Sequence, residues 1–391
     1  MEKEELKELD KNILKKIEEK IGQVDQKMVE SYFKFNRLDF IDNVCLCLND
    51  KKVKKTIDEI FSDPVLLRTV YTENSINFYI NGDTITSISS PAVIFYMLKL
   101  LDIHDGNKIL EIGSGVGYTT ALLADIIKNG HIFTVEMNDY VFEILKKNME
   151  KINLQNIYIE KGDGGYGISD FAPYDRIFVS CTVADITSFW IEQLKVGGKI
   201  VAPLSTRGYQ VSVGLEKTKE DKLEGRVYKH VHFFPLKGNF SIVSHYSYYE
   251  NSLKSLKKII EDEASIDFEL SNMFEKFSEE EIDDFLFYLS IVEQNFISYY
   301  PLEGFKKNVC YGIFVRTRGS GIALLQNKKV YFWGNDEAIN IFKRRFDDFM
   351  KEGKPKMTDY KIKVFPANKE YLQTPNDILI YRKSSITVFS K

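Results

Sequence analysis

Apolar positions along the chain fall into three textures. In residues 1–60, Leu6, Leu9, Ile13, Leu14, Ile17 and Ile21 recur at helical spacing among Lys, Glu and Asp. That spacing predicts amphipathic helices whose main work is to cover a neighbour. From Asp83 the pattern changes. Residues 84–91 are polar and β-rich, and 92–101 read as a helix. Short apolar runs then alternate with helical stretches. Strands are predicted over 108–112, 131–136, 157–161, 176–179 and 199–203, and helices over 118–128, 140–153 and 186–194. This alternation predicts an open, mainly parallel sheet with helices on both faces and right-handed crossovers. Segments 210–215 and 225–234 follow as a closing antiparallel hairpin.

The third texture begins near residue 250. Residues 250–300 return to helix, with charged faces such as Glu279-Glu280-Glu281. Strands are predicted over 309–316, 322–325, 329–332, 360–365 and 378–382. A helix over 336–352 is stopped by Gly353 and Pro355. The expected division is a helical region over 1–60, an α/β domain over 61–249 and an α+β extension over 250–391.

Composition adds limits. Hydrophobic residues make up 44% and charged residues 28%, so a buried core is expected. A formal charge of -4 gives no electrostatic reason for a nucleic-acid partner. The four cysteines, Cys45, Cys47, Cys181 and Cys310, form no C-x-x-C pair, so no metal site is expected. The first twenty residues are charged throughout, unlike a secretory signal, and no run approaches the roughly 18 apolar residues of a membrane span. A cytoplasmic protein without a membrane partner is expected. The sequence does not disclose its oligomeric state.

The candidate chemistry lies in KILEIGSGVGYT (108–119). Apolar residues end at three alternating glycines, and a helix follows. Glycine adopts positive φ and lets the backbone approach a ligand. Open α/β sheets bind ligands at such strand ends. A dinucleotide would lay its pyrophosphate on the helix N-terminus, whereas S-adenosylmethionine would lay its amino acid end on the loop. The spacing is G-x-G-x-G, not the G-x-G-x-x-G of dinucleotide binders. Glu111, just before Gly113, repels a pyrophosphate and suits an ammonium or sulfonium. Glu136, at the next strand end, is placed to accept from two ribose hydroxyls. Asp163, in Gly162-Asp163-Gly164 after the third strand, is placed to accept from an adenine amino group.

These stretches resemble the protein-L-isoaspartate O-methyltransferase family. The matching runs are SISSP (87–91), ILEIGSGVGYTTALLA (109–124), VEMN (135–138), GDGGYG (162–167), APYDRIFVS (172–180) and EQLKVGGKIVAPL (192–204), with Gln210 beyond. The resemblance implies a Rossmann-like class I methyltransferase sheet with N-terminal helices and a C-terminal α+β module. It implies methyl transfer from S-adenosylmethionine to a carboxylate, usually that of an isoaspartyl residue in a protein or peptide. The cofactor residues it implies are Glu111, Gly113, Ser114, Gly115, Gly117, Tyr118, Glu136, Met137, Asp163 and Gly164. Ser89 matches the family's active-site serine, with Ser90 beside it. The alternative for both is capping the helix that follows. A carboxylate, with an ordinary pKa near ~4, needs no base to become a nucleophile. Two departures bear on the acceptor end. The family's P-H-M-H is here Pro91-Ala92-Val93-Ile94, and its GDGR is here Gly162-Asp163-Gly164-Gly165.

Residues RGSGIALL (318–325), Trp333-Gly334, EGKP (352–355) and 360–364 are similar to an extension on family members from ribosomal peptide natural-product clusters. That likeness implies methylation of an aspartate in a dedicated precursor peptide, with ring closure to an aspartimide and opening to isoaspartate. A third reading is a cofactor-binding adaptor without catalysis. Of the remaining residues, His230-Val-His232 alternates on a strand, so both imidazoles share a side. Surface or hairpin histidines are expected there. Phe233-Phe234-Pro235 and Trp190 are candidates to line a peptide groove, but aromatics in such patterns more often pack in the core, which is the expectation. Cys181 lies near the cleft with no base in view.

Overall fold

The structure, a computed structural model, describes residues 2–41, 44–48, 51–80, 84–241, 264–299, 309–315 and 320–391. The helix expected over 250–263, His245, and Arg318-Gly319 of the C-terminal likeness fall outside these residues.

The chain opens with α1 (Glu2–Ile21) and α2 (Gln26–Lys34), the latter capped by Asp25, whose side chain accepts from the Lys27 N–H. Then come β1 (Val44–Leu48), β2 (Lys51–Lys55), α3 (Ile57–Ser62), α4 (Pro64–Val70), β3 (Ile76–Ile80) and β4 (Thr84–Ile88). The four strands form an antiparallel sheet in the order β2-β1-β3-β4. Helix throughout 1–60 is thus corrected: 44–55 is a hairpin. Its Val-Cys-Leu-Cys-Leu run carries no charge and finds a partner in β3, a non-local pairing that helical periodicity does not register.

The central region runs α5 (Pro91–Leu101), β5 (Lys108–Ile112), α6 (Tyr118–Ile127), β6 (His131–Glu136), α7 (Asp139–Ile152), β7 (Ile157–Lys161), β8 (Tyr174–Val179), α8 (Ser188–Gln193), β9 (Leu194–Thr206), β10 (Tyr209–Lys219) and β11 (Lys222–His230). Strands β7-β6-β5-β8-β9 pair in parallel, and the order reverses at β5. Such a switch point opens a crevice at the strand ends.

The C-terminal residues supply β12 (Ser265–Asp267), α9 (Phe268–Glu275), α10 (Glu279–Val292), β13 (Phe296–Tyr299), β14 (Cys310–Val315), β15 (Gly321–Gln326), β16 (Lys329–Gly334), α11 (Glu337–Lys351), β17 (Lys361–Pro366), β18 (Ile378–Tyr381) and β19 (Ser385–Ser390). Strands β12 to β16 form their own five-stranded antiparallel sheet. The last three do not belong to it. β17 pairs with β11, and β19 and β18 follow, so the central sheet has ten strands. The part after residue 250 is therefore not one separate module; its last thirty residues finish the sheet of the first domain.

Side chains alternate between the two faces of that sheet. Ile109, Ile132, Phe178 and Val201 point into a core built with α1, α2, α5, α6 and α7. Leu110, Phe133, Ile177 and Ile200 point into the opposite core, shared with Phe285, Leu289, Phe342 and Phe346 of α10 and α11. From Phe285 on, helix α10 is apolar nearly all round, which suits a helix buried between two sheets. The C-terminal region thus covers much of one face of the central sheet, beside α8 and Phe171. Its final turn is pinned by buried Asp185, which accepts from Ser384 N, Ser384 Oγ and Ser385 Oγ at 2.7, 2.9 and 2.5 Å.

Candidate functional site

A cavity of about 750 Å³ lies at the carboxyl ends of β5, β6 and β8, within the range of small-molecule sites. Its floor is the loop from Gly113 to Val116. Gly113 N and Ser114 N both donate to Val135 O, which lays the loop over the end of β6. Gly113 and Gly115 hold φ at +81° and +55°, a region that favours glycine.

Glu136 stands in the wall. Its Oε2 accepts from Gly115 N at 3.1 Å and its Oε1 from Asn138 N at 2.9 Å. Burial pushes its pKa up, while these N–H groups and Lys237 nearby favour the charged form. Each carboxylate oxygen keeps a further lone pair for a hydroxyl donor. Asn138 caps α7, accepting from Tyr140 N and Val141 N, and so fixes the strand end that carries Glu136. The arrangement fits the vicinal diol of a nucleoside.

Glu111 is corrected. It is fully buried beneath the loop and absent from the cavity lining. It shares the face of Ile109, where its Oε2 accepts from Thr120 and Thr134 hydroxyls at 2.5 and 2.7 Å. Thr134 Oγ1 lies 2.5 Å from Ser114 Oγ, so Glu111 communicates with the loop through Thr134 and Ser114. Burial raises its pKa to about 7.

Gly117 is corrected as well. It does not line the cavity. A Cβ there would meet Met149 Cε at 2.5 Å and Leu145 Cδ1 at 2.8 Å. Its role is to let α6 lie close to α7. Tyr118 borders the cavity, yet its ring is buried edge-on to Phe40. Met137 is 44% exposed on the rim, where its flexible side chain can lie on a flat apolar face. Gly164 lines the cavity, and its carbonyl accepts from Trp190 Nε1 at 2.9 Å. Trp190 is core, as expected. Asp163 stands outside the lining, with Oδ1 accepting from Gly165 N and Oδ2 from Asn239 N at 2.9 and 2.7 Å. That carboxylate ties the β7 end to the 238–239 turn, so an adenine amino group would have to share it.

At the other end stand Ser89 and Ser90, between β4 and α5. Ser90 occupies the N-cap position without a capping hydrogen bond, and its Oγ donates to Glu73 O at 2.8 Å. Facing them is the segment after β11. His230, His232, Phe233 and Phe234 all line the cavity, with His230 half-buried at the end of the β10–β11 hairpin and His232 exposed, in line with the hairpin or surface reading, while Phe234, 41% exposed, departs from the core reading. The alternation had put both imidazoles on one side; what it could not show is that Pro235 bridges to Thr182 at the end of β8. Gln210 pins this crossing, accepting from Phe233 N at 2.8 Å and bonded to Thr182 Oγ1. Lys237 also lines the cavity and had no sequence signal. Cys181 is buried beside Gly113, and burial pushes its thiol pKa well up, so it is no thiolate nucleophile. Among the described residues, no three His, Cys, Asp or Glu side chains group as metal ligands, and no helix is long and apolar enough to cross a membrane.

The profile of the family Protein-L-isoaspartate(D-aspartate) O-methyltransferase matches residues 47–241. The protein-L-isoaspartate O-methyltransferase of Methanothermobacter thermautotrophicus is 38% identical over 154 residues, 39% of this chain and 71% of that protein. That of Thermotoga maritima is 29% identical over 184 residues, 46% of this chain and 58% of that protein. Protein-L-isoaspartate O-methyltransferase 1 of Archaeoglobus fulgidus is 40% identical over 119 residues, and this chain spans 55% of it. A solved protein-L-isoaspartate O-methyltransferase superposes with a TM-score of 0.53 at 20% identity, covering 90% of this chain and 96% of that one. The shared fold therefore extends beyond the segment matched by the family profile.

Proposed function

Since the chain belongs to the protein-L-isoaspartate O-methyltransferase family, we propose that it esterifies the carboxylate of an isoaspartyl or aspartyl residue in a protein or peptide, with S-adenosylmethionine as methyl donor. One observation carries this reading. A single cavity joins Glu136, placed for a ribose diol, to the Ser89-Ser90 lip across the loop of Gly113 and Gly115. The donor supplies an electrophilic methyl on a sulfonium, so the protein need only orient the acceptor. Proximity of that kind contributes several kcal/mol, up to about 7–11. The Ser89 hydroxyl donates to the acceptor carboxylate and fixes the oxygen that attacks. Phe233 and Phe234 help exclude water from the acceptor end. No side chain has to remove a proton, because the acceptor is already ionised at neutral pH.

A narrower reading takes the acceptor as an aspartate in a dedicated ribosomal precursor peptide. What supports it is the likeness over 318–364 and the extent of chain, 242–391, that lies beyond the family profile. The adaptor reading is set aside, because the family consists of enzymes. The test is methyl transfer from labelled S-adenosylmethionine to two peptides differing only in Asp against isoAsp. Base-labile label on isoAsp alone supports the repair-type acceptor. Label on neither, with the cofactor bound, counts against it and turns attention to a precursor peptide.

A further inference from the structure

His230 lines the cavity and is gripped by the C-terminal region on more than one side. Its side chain is 29% exposed. Its Nδ1 faces Asp283 Oδ1 of α10 at 3.6 Å, and its Nε2 faces Tyr311 Oη of β14 at 3.4 Å. Its ring stacks on Tyr209 of β10, with centroids 4.6 Å apart and planes 11° from parallel. Tyr209 Oη in turn donates to the same Asp283 oxygen at 2.6 Å. Asp283 and Tyr311 are 53 and 81 residues away along the chain. Two distant segments thus converge on one imidazole beside Phe233 and across from Ser89 and Ser90.

The distances matter. Both contacts of the ring nitrogens are longer than a good hydrogen bond of about 2.7–3.2 Å. The ring plane is fixed by stacking on Tyr209, and Nε2, whose contact with Tyr311 Oη is a long 3.4 Å, can be shared with an incoming group while Asp283 keeps Nδ1. A group held in orientation and still able to bond is suited to a ligand. Asp283 stabilises positive charge on the ring, and an incoming anionic residue at Nε2 would add a second negative group.

Resting on the methyl-transfer reading above, we propose that His230 is a positioning residue for the acceptor peptide, hydrogen-bonding the residue that carries the carboxylate, and that Asp283 and Tyr311 act on the reaction by holding that imidazole. The described residues of the C-terminal region thereby set acceptor affinity from outside the cavity lining. The groups that bear on the charge of His230 are Asp283, which favours the imidazolium, His232 and burial, which disfavour it, and the rings of Tyr209 and Tyr311.

The test uses the full chain with His230→Gln, Asp283→Asn, Tyr311→Phe and the His230→Gln/Asp283→Asn pair. Steady-state kinetics with an isoaspartyl peptide are read beside S-adenosylhomocysteine binding, thermal unfolding and the imidazole NMR signal of His230. The expected result is a KM for peptide raised tenfold or more in His230→Gln and several-fold in Asp283→Asn, with S-adenosylhomocysteine affinity within twofold of wild type. The pair should be no worse than His230→Gln alone, and the imidazole should titrate at lower pH in Asp283→Asn. Peptide KM within twofold of wild type in His230→Gln would overturn the proposal. Multiplying effects in the pair would overturn the part that routes Asp283 through the ring. Tyr311→Phe removes one hydroxyl while keeping the ring, so a change in its KM with an unchanged Tm supports positioning over packing. If wild type binds S-adenosylhomocysteine yet transfers no methyl to the peptide, the acceptor reading fails. The imidazole titration then decides separately whether Asp283 holds His230, and an unshifted titration in Asp283→Asn overturns that too.

Discussion

Gly115 and Glu136 are joined directly: the backbone N–H of the glycine donates to Oε2 of the carboxylate at 3.1 Å. The turn after β5 is therefore braced by the acid at the end of β6. Replacing Glu136 by Gln leaves one acceptor oxygen and puts an amide donor opposite either the Gly115 or the Asn138 N–H. Hydrogen bonds to charged groups contribute about 1.5–3 kcal/mol. Glu136→Gln should weaken S-adenosylhomocysteine binding by roughly 10–100-fold, measured by titration calorimetry, while the protein stays folded.

Gly115 and Gly117 look equivalent in the sequence and are not. A Cβ on Gly117 would collide with Met149 and Leu145, whereas one on Gly115 would meet only Ser87 O at 3.9 Å. Gly117→Ala combines overpacking with a φ of +91° and should lower stability by about 2–4 kcal/mol. Gly115→Ala should cost less stability and more cofactor affinity. Denaturant unfolding and cofactor titration of both variants separate the two roles; equal stability losses would contradict the assignment.

Buried Glu111 makes the fold pH-sensitive in a stated direction. Its folded pKa is about 7 against an ordinary 4.5. Between those values the folded state holds a proton that the unfolded state has released. Its contribution to stability is therefore complete below about pH 4.5 and fades as pH rises, the drop levelling off above about 7. The difference is on the order of 3 kcal/mol. In Glu111→Gln, which keeps an acceptor for Thr120 and Thr134, the decline in Tm from pH 5 to pH 8 should be markedly shallower than in wild type.

Asp163 accepts from Asn239 N across a gap of 76 residues. Asp163→Ala should free the 236–240 turn, which carries Leu236 and Lys237 into the cavity. Faster amide exchange over that turn, with a loss of about 1–2 kcal/mol, is the expected signature. A variant that lost cofactor affinity with unchanged exchange would point instead to direct adenine contact.

Ser89 and Ser90 should also divide. Ser90→Ala loses its bond to Glu73 O and should show mainly in stability, by about 1 kcal/mol. Ser89→Ala should lower kcat/KM for the acceptor peptide by ten- to hundredfold with cofactor binding unchanged. A larger kinetic effect in Ser90→Ala would exchange the two assignments.

Much of this was legible in the residues. The alternation from 108 to 203 marked the parallel sheet, because buried strands and amphipathic helices differ in period. The strand-end acids were found for the same reason, since motif order places them at one edge. Their depth was not: Glu111 and Gly117 sit in the expected motif, but face a core that only packing reveals. The junctions of β1 with β3 and of β17 with β11 depend on partners far along the chain, which local pattern does not encode. The place of His230 beside the cavity is not legible, because its neighbours, Asp283 and Tyr311, come from segments with no motif of their own.

The junction of β11 and β17 has a consequence for how the protein is made. Leu223 and Val227 of β11 are buried, and Leu223 pairs with Val364. Until β17 has left the ribosome, β11 is an unprotected edge, with apolar side chains and unpaired backbone groups on offer to other chains. Pairing across some 140 residues also raises contact order and slows the final step of folding. Synthesis halted near residue 250 would yield an aggregation-prone fragment rather than a smaller enzyme.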